Sequence, residues 1–233
     1  MSDESTARPL TLGALIFDGV EPLDLFGPLE MWMNLGPELV SVWLIAETTE
    51  PVAVATVSWP TDLAPRVVPH YSIDDAPPLD LILVPGGIGT VREVDNPRLI
   101  EWLSQRGADA MTTASVCTGA QLLARAGLLD DQRATTNKVF FSYVASFGRQ
   151  TEWVRSARYV DEGKVATSSG VSAGIDLSLA LIARLFGIER AEQIAAGAEY
   201  AWNADPDDDP FDVMLDQGMP FVDTLQQLAA AER

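Results

Sequence analysis

The chain has 233 residues, with 34 Asp and Glu against 15 Lys and Arg, for a formal net charge of −19. That balance excludes a phosphate-backbone binder, which concentrates Lys and Arg on one face. One cysteine and one histidine exclude an intrachain disulfide, a cysteine-built zinc site and an H-E-x-x-H metalloenzyme. Hydrophobic residues make up 47% of the chain, enough for one domain with a substantial core.

The opening stretch MSDESTARPL is polar and acidic, without the basic and apolar regions of a secretory leader. Leu12–Phe17 predicts a buried strand, and Leu23–Leu35 a helix with apolar residues at helical spacing. Val40–Ala46 and Leu79–Val84 predict two further strands, the second ending in Pro85-Gly86-Gly87-Ile88-Gly89. Pro97–Arg106 predicts an amphipathic helix with Asn96 as its cap and Pro97 at its first position. Ala110–Val116 predicts a strand that runs through Cys117 into a helix over Gly119–Ala126. A later strand ends at Lys164–Thr167, and Ser172–Phe186 predicts a long helix.

Uninterrupted apolar strands alternating with helices predict an open α/β fold, with a mostly parallel sheet covered on both faces. Sites in such folds collect beyond the carboxyl ends of the strands. The longest strongly apolar stretch, about Leu177 to Phe186, is half of the ~20 residues that cross a bilayer. A soluble cytoplasmic protein with a reduced thiol and no membrane partner is therefore expected. The run Asp205–Asp212 (DPDDDPFD) has no EF-hand spacing and predicts a solvated loop, not a metal site.

Cys117 lies in Ala114-Ser-Val-Cys-Thr-Gly-Ala120, where an apolar strand gives way to a helix. That position follows the logic of a nucleophile elbow, and the helix start is expected to lower the thiol pKa. The competing reading is a buried cysteine acting as a small hydrophobe. The glycine loop Gly86–Gly89 reaches the same sheet edge and suits an oxyanion site, although glycines after a strand are common turn material. It lacks the G-x-G-x-x-G spacing of a dinucleotide fingerprint, so no cofactor is expected. Asp24, among Leu23, Leu25 and Phe26, predicts either a partly buried proton-handling carboxyl or the N-cap of its helix. His70, in Pro69-His70-Tyr71, predicts an ordinary loop histidine.

Together these loops resemble the DJ-1/PfpI superfamily, and within it the isocyanide (isonitrile) hydratase branch. The resemblance rests on PLDLFGP (22–28), PPLDLILVPGGIG (77–89), SVCTGAQLLARAGLL (115–129), RATTN (133–137) and SSGVSAGIDLSLAL (168–181). Glu199-Tyr200 and Pro210-Phe211 also fit. It implies a flavodoxin-like, class I glutamine amidotransferase-like fold in a single domain over 10–222. A flexible N-terminus over 1–9 and a helical tail over 223–233 would flank it.

The resemblance also implies a lyase acting on a small neutral electrophile, and a homodimer. Cys117 would attack the isocyanide carbon to give a thioimidate, and Asp24 would manage the proton and activate water. The backbone N–H groups of Gly87 and Thr118 would form the polar cradle, with the Thr118 hydroxyl assisting. Gly86, Gly87 and Ile88 would be oxyanion and substrate-binding residues, with Asn137 and Val171 lining the pocket, and no metal. Thr118 stands where PfpI-type peptidases carry a histidine. Asn137 stands where the branch usually has one, and Val54–Pro69 also departs from the branch pattern. The alternatives are a ligand-sensing module without catalysis, and a redox or stress protein whose thiol is reversibly oxidised.

Overall fold

The computed structural model describes residues 8–223 and residue 226. Along the chain run β1 (Leu10–Leu15), α1 (Pro22–Met33), β2 (Val40–Ala46), β3 (Val52–Ala53), β4 (Arg66–Val67) and β5 (Tyr71–Ser72). Next come β6 (Leu81–Val84), α2 (Thr90–Glu93), α3 (Pro97–Asp109), β7 (Thr112–Val116), α4 (Gly119–Arg125) and β8 (Arg133–Ala134). The chain continues through α5 (Phe141–Ala145), β9 (Glu152–Trp153), β10 (Tyr159–Asp161), β11 (Val165–Ser168), α6 (Ala173–Phe186) and α7 (Ile188–Gly197).

Seven strands form one sheet in the order β10-β11-β7-β6-β1-β2-β5. Every pairing in it is parallel except β10 with β11. The central strands β6, β7 and β11 are buried at every residue, as continuous apolar or small side chains require when helices cover both faces. Helices α1 and α6 pack together, with α7 against α6, while α2, α3 and α5 gather about α4. The predicted α/β architecture is the observed one.

Element ends differ by a few residues. The first strand starts at Leu10, not Leu12, because parallel pairing aligns Leu10 with Val40 and Leu15 with Ile45. The strand before Cys117 starts at Thr112, since Asp80 O takes the N–H groups of Met111 and Thr112. Asn96 caps α3 as expected, accepting from Leu99 N–H at 3.3 Å. Asp24 is not an N-cap: α1 begins at Pro22, which places Asp24 within its first turn and turns the carboxyl inward.

The acidic run also departs from its predicted character. Asp205, Asp207, Asp208 and Asp212 are exposed, but Asp209 is buried. Its carboxylate lies 3.4 Å from Lys138 Nζ and 3.7 Å from Arg158 Nη1. Arg158 in turn donates to Asp176 Oδ2 from Nε at 2.9 Å and from Nη2 at 2.7 Å. Two buried cations thus draw one aspartate of the run inside, an attraction the local sequence does not reveal.

The N-terminal segment predicted over 1–9 is described only from Arg8, whose guanidinium forks onto Asp80 at 2.6 and 2.8 Å. The predicted tail over 223–233 lies outside the described residues apart from Asp223 and Gln226. Among the described residues no helix is long and apolar enough to cross a membrane.

Candidate active site

Strand β7 delivers Cys117 to the carboxyl edge of the sheet, and α4 starts two residues later. Cys117 has φ of +57°, in the left-handed region that costs a residue with a Cβ about 1–2 kcal/mol. The surroundings hold it there. Its N–H faces Ser168 O at 3.2 Å and Ser169 O at 3.3 Å, while its carbonyl accepts from Thr136 Oγ1 at 2.7 Å. The elbow is tight because Gly119 has no side chain: a Cβ there would lie 2.2 Å from Val84 O. The predicted strand-to-helix elbow is present, with the backbone strain that accompanies such turns.

The glycine loop crosses in front of this elbow. Gly86 N–H donates to Asp24 Oδ2 at 2.9 Å, and Gly87 N–H to Thr118 Oγ1 at 3.0 Å. Gly87, at φ +125°, must be glycine, since a Cβ would fall 2.3 Å from Gly19 O. Thr90 Oγ1 completes the knot, donating to Gly87 O at 2.7 Å and reaching Thr118 Oγ1 at 3.1 Å. This geometry corrects the glycine half of the expected cradle and keeps its Thr118 half. The Gly86 and Gly87 N–H groups are already committed to Asp24 and Thr118, whereas Thr118 N–H faces the sulfur.

A cavity of about 140 Å³ opens over the thiol. Of the predicted residues, Cys117, Thr118, Gly87, Ile88, Asn137 and Val171 line it. Gly86 and Asp24 do not, and Asp24 is 0% exposed. The sequence reading missed Glu21, Val57, Thr90, Val91, Phe140 and Tyr143, which complete the wall. It also missed Gly170, where a Cβ would lie 3.0 Å from Cys117 Sγ and 2.3 Å from Asn137 Nδ2. Of these only Glu21, three residues before Asp24 at the mouth of the same loop, left a signal in the local sequence. A larger hollow of about 430 Å³ shares Ile88 and Val57 with it, but Cys117 does not line that one.

The electrostatics overturn one expectation. Burial pushes the Cys117 thiol well above its ordinary value, and the negative charge of Asp24 adds to the rise. Thr118 N–H and the Asn137 side chain favour the thiolate but do not outweigh them. Desolvation of the anion beside a carboxyl therefore beats the dipoles of a short helix, and the resting group is a protonated thiol. Burial also holds the Asp24 carboxyl well above its usual range; Glu21 adds to this, while Gly86 N–H and the thiol oppose it. Asp24 Oδ1 is buried without a partner of strict hydrogen-bond geometry, while the thiol interacts with the same carboxyl.

His70 takes no part. It is exposed, accepts from Leu44 N–H through Nδ1 at 3.0 Å and meets Trp43 edge-on. No cluster of His, Cys, Asp or Glu among the described residues could hold a metal ion.

A lone thiol on a left-handed elbow, at the carboxyl edge of a parallel sheet, defines a nucleophile-elbow α/β protein. Residues 13–184 match the DJ-1/PfpI family, and the chain belongs to it. It is 33% identical over 192 residues to isonitrile hydratase of Pseudomonas putida, covering 82% of this chain and 79% of that one. It is 31% identical over 193 residues to the transcriptional regulator GbdR of Pseudomonas aeruginosa, covering 81% of this chain and 50% of that one. A ThiJ/PfpI family protein from Pseudomonas syringae superposes with a TM-score of 0.76 at 25% identity, covering 98% and 97% of the two chains. Drosophila melanogaster DJ-1beta superposes at 0.70 with 17% identity, covering 84% and 100%, a likeness of fold alone.

Proposed function

We propose that this protein hydrates isocyanides to N-substituted formamides through a covalent thioimidate on Cys117. The observation that carries the reading is a buried thiol beside a buried carboxyl, each with its pKa raised by burial, opening onto a small, mostly apolar cavity. An isocyanide carbon accepts both a nucleophile and a proton, so a thiol that keeps its proton suits this electrophile. Sulfur bonds to the terminal carbon, and the thiol proton, passed through Asp24, ends on that same carbon. Water then adds to the thioimidate, the carbon–sulfur bond breaks, and the formamide leaves as the thiol is restored. Splitting one difficult addition into two steps is the benefit of covalent catalysis.

Thr118 N–H faces the sulfur, and the Asn137 side chain adds a second hydrogen bond to it. The reaction uses no cofactor or metal, in a single catalytic domain over 10–222 acting as a cytoplasmic homodimer. The net charge of −19 disfavours anionic substrates and suits a small neutral one. The redox alternative needs a ready thiolate, which the raised Cys117 pKa works against.

The test is formamide production from an aryl isocyanide by wild type, Cys117→Ala and Asp24→Asn. Wild type is expected to turn over, with Cys117→Ala inactive. No turnover by wild type, or full activity in Cys117→Ala, overturns the reading. Peroxide-driven sulfinate at Cys117 without hydration would favour the redox alternative.

A further inference from the structure

The hydration needs two proton transfers in different places: one at the sulfur, one at the incoming water. Asp24 is placed for the first. Its carboxyl is wholly buried, interacts with the thiol and is held from behind by Gly86 N–H, but it does not line the cavity. Substrate and water must enter through that cavity, whose wall does not include Asp24.

The cavity wall itself holds few groups that could deliver water. Thr90 and Thr118 hydroxyls are neutral and bound to each other and to the Gly87 backbone. Asn137 is an amide whose Oδ1 already accepts from Phe140 N–H at 3.1 Å. The Tyr143 phenol is raised from its ordinary value, mainly by burial, and so stays protonated. Lys138, next to Asn137, donates from Nζ to Thr135 Oγ1 and to Ala157 O instead of lining the cavity. That leaves Glu21, a half-buried acidic residue of the cavity wall whose charge acts on both Asp24 and Cys117.

We infer that Glu21 is the general base that delivers water to the thioimidate, while Asp24 serves only the thiol. The inference rests on the hydratase reading and divides its chemistry between two carboxyls. As water oxygen bonds to the thioimidate carbon, Glu21 takes one water proton and the imine nitrogen, gaining the electron pair of the C=N bond, accepts a proton. The tetrahedral carbon then expels sulfur with the carbon–sulfur electron pair and loses its hydroxyl proton as the formamide carbonyl forms. One hydrogen of the water is left on nitrogen and one on sulfur, and Glu21 ends ionised. Burial raises the Glu21 pKa, which makes it a stronger base than an exposed glutamate.

The test follows single turnovers of an aryl isocyanide by intact-protein mass spectrometry, with the steady-state rate measured in parallel. Glu21→Gln is expected to form the adduct at Cys117 within a few-fold of the wild-type rate and then to retain it. Its kcat should fall by about 100-fold or more, the range for loss of a general base. The kcat–pH profile of wild type should lose its acidic limb in this variant, and Glu21→Asp should recover part of the rate. Wild-type kcat in Glu21→Gln, or failure of that variant to form the adduct, overturns the inference while leaving the hydratase reading intact. A wild type with neither turnover nor adduct overturns both.

Discussion

Two groups of buried ionisable residues are touched by the adjacent residues Asn137 and Lys138, and they are built on opposite principles. Around Cys117, burial acts on a thiol and the Asp24 carboxyl with no cation among the described residues offsetting it, and Glu21 adds further negative charge, so both pKa values rise. Around Asp209, the carboxylates of Asp176 and Asp209 are matched by Arg158 and Lys138. Tyr200 OH and Asn203 N–H also donate to Asp176 Oδ1, each at 3.0 Å. Desolvating an unpaired acid holds its proton in place, ready for transfer. Desolvating a matched set leaves the charges in place and ties distant segments together. The first arrangement suits chemistry, and the second fastens the C-terminal segment against the wall that carries Asn137.

The sharpest way to break this contrast is to unbalance the matched set. Arg158→Ala leaves Asp176 and Asp209 buried without their shared partner and is expected to cost about 3–5 kcal/mol, read by urea unfolding. A loss under about 1 kcal/mol would mean that water already enters the cluster. Next in size is Gly170→Ala, whose Cβ would crowd Asn137 Nδ2 and Cys117 Sγ. Isocyanide turnover should fall by about 100-fold through misplacement of the reacting atoms. The urea midpoint should move far less than in Arg158→Ala.

Asp24→Asn should separate activity from stability. A carboxyl whose pKa is raised on folding stabilises the native state fully below its ordinary value of 3.8, and that contribution is lost as pH rises through the folded value. At neutral pH the wild type therefore bears the burden of an acid displaced from its preferred ionisation, and the amide does not. Asp24→Asn is expected to gain on the order of 1 kcal/mol near pH 7 and to lose that advantage below about pH 4, while its turnover collapses. A stability difference independent of pH would rule out burial of Asp24 as the cause. The smallest effect belongs to Asp207→Asn. That exposed aspartate is two positions from Asp209, yet its loss should stay within about 0.5 kcal/mol.

Much of the scaffold was legible along the chain because parallel sheets buried on both faces leave uninterrupted apolar runs. Val40–Ala46 is a strand with the predicted ends, and Asn96 caps the helix it was expected to cap. Errors at other ends come from register: pairing with Val40, not local composition, starts the first strand at Leu10. At the site, the positions of Cys117 and the glycine loop could be read from the turn chemistry of the strand ends. Gly170 could not, because nothing nearby in sequence says that its loop closes over the same sulfur, and the nearness of Glu21 to Asp24 does not by itself place it in the cavity wall. The direction of the thiol pKa was also misjudged, since a helix start is visible in sequence and complete burial beside Asp24 is not.

By itself, then, the sequence determined that a single thiol stands on a strand-to-helix elbow, with one carboxyl loop and one glycine loop at the same sheet edge. Periodicity and turn residues are local properties, and they were sufficient for that. Only the tertiary structure decided that the Gly86 and Gly87 N–H groups are already spent and that Asp24 is fully buried outside the cavity wall. It alone placed Glu21 in the cavity wall and drew Asp209 out of a charged loop into the interior. Those outcomes depend on desolvation and on charges brought together from far apart in the chain, and neither is encoded in any short stretch of residues.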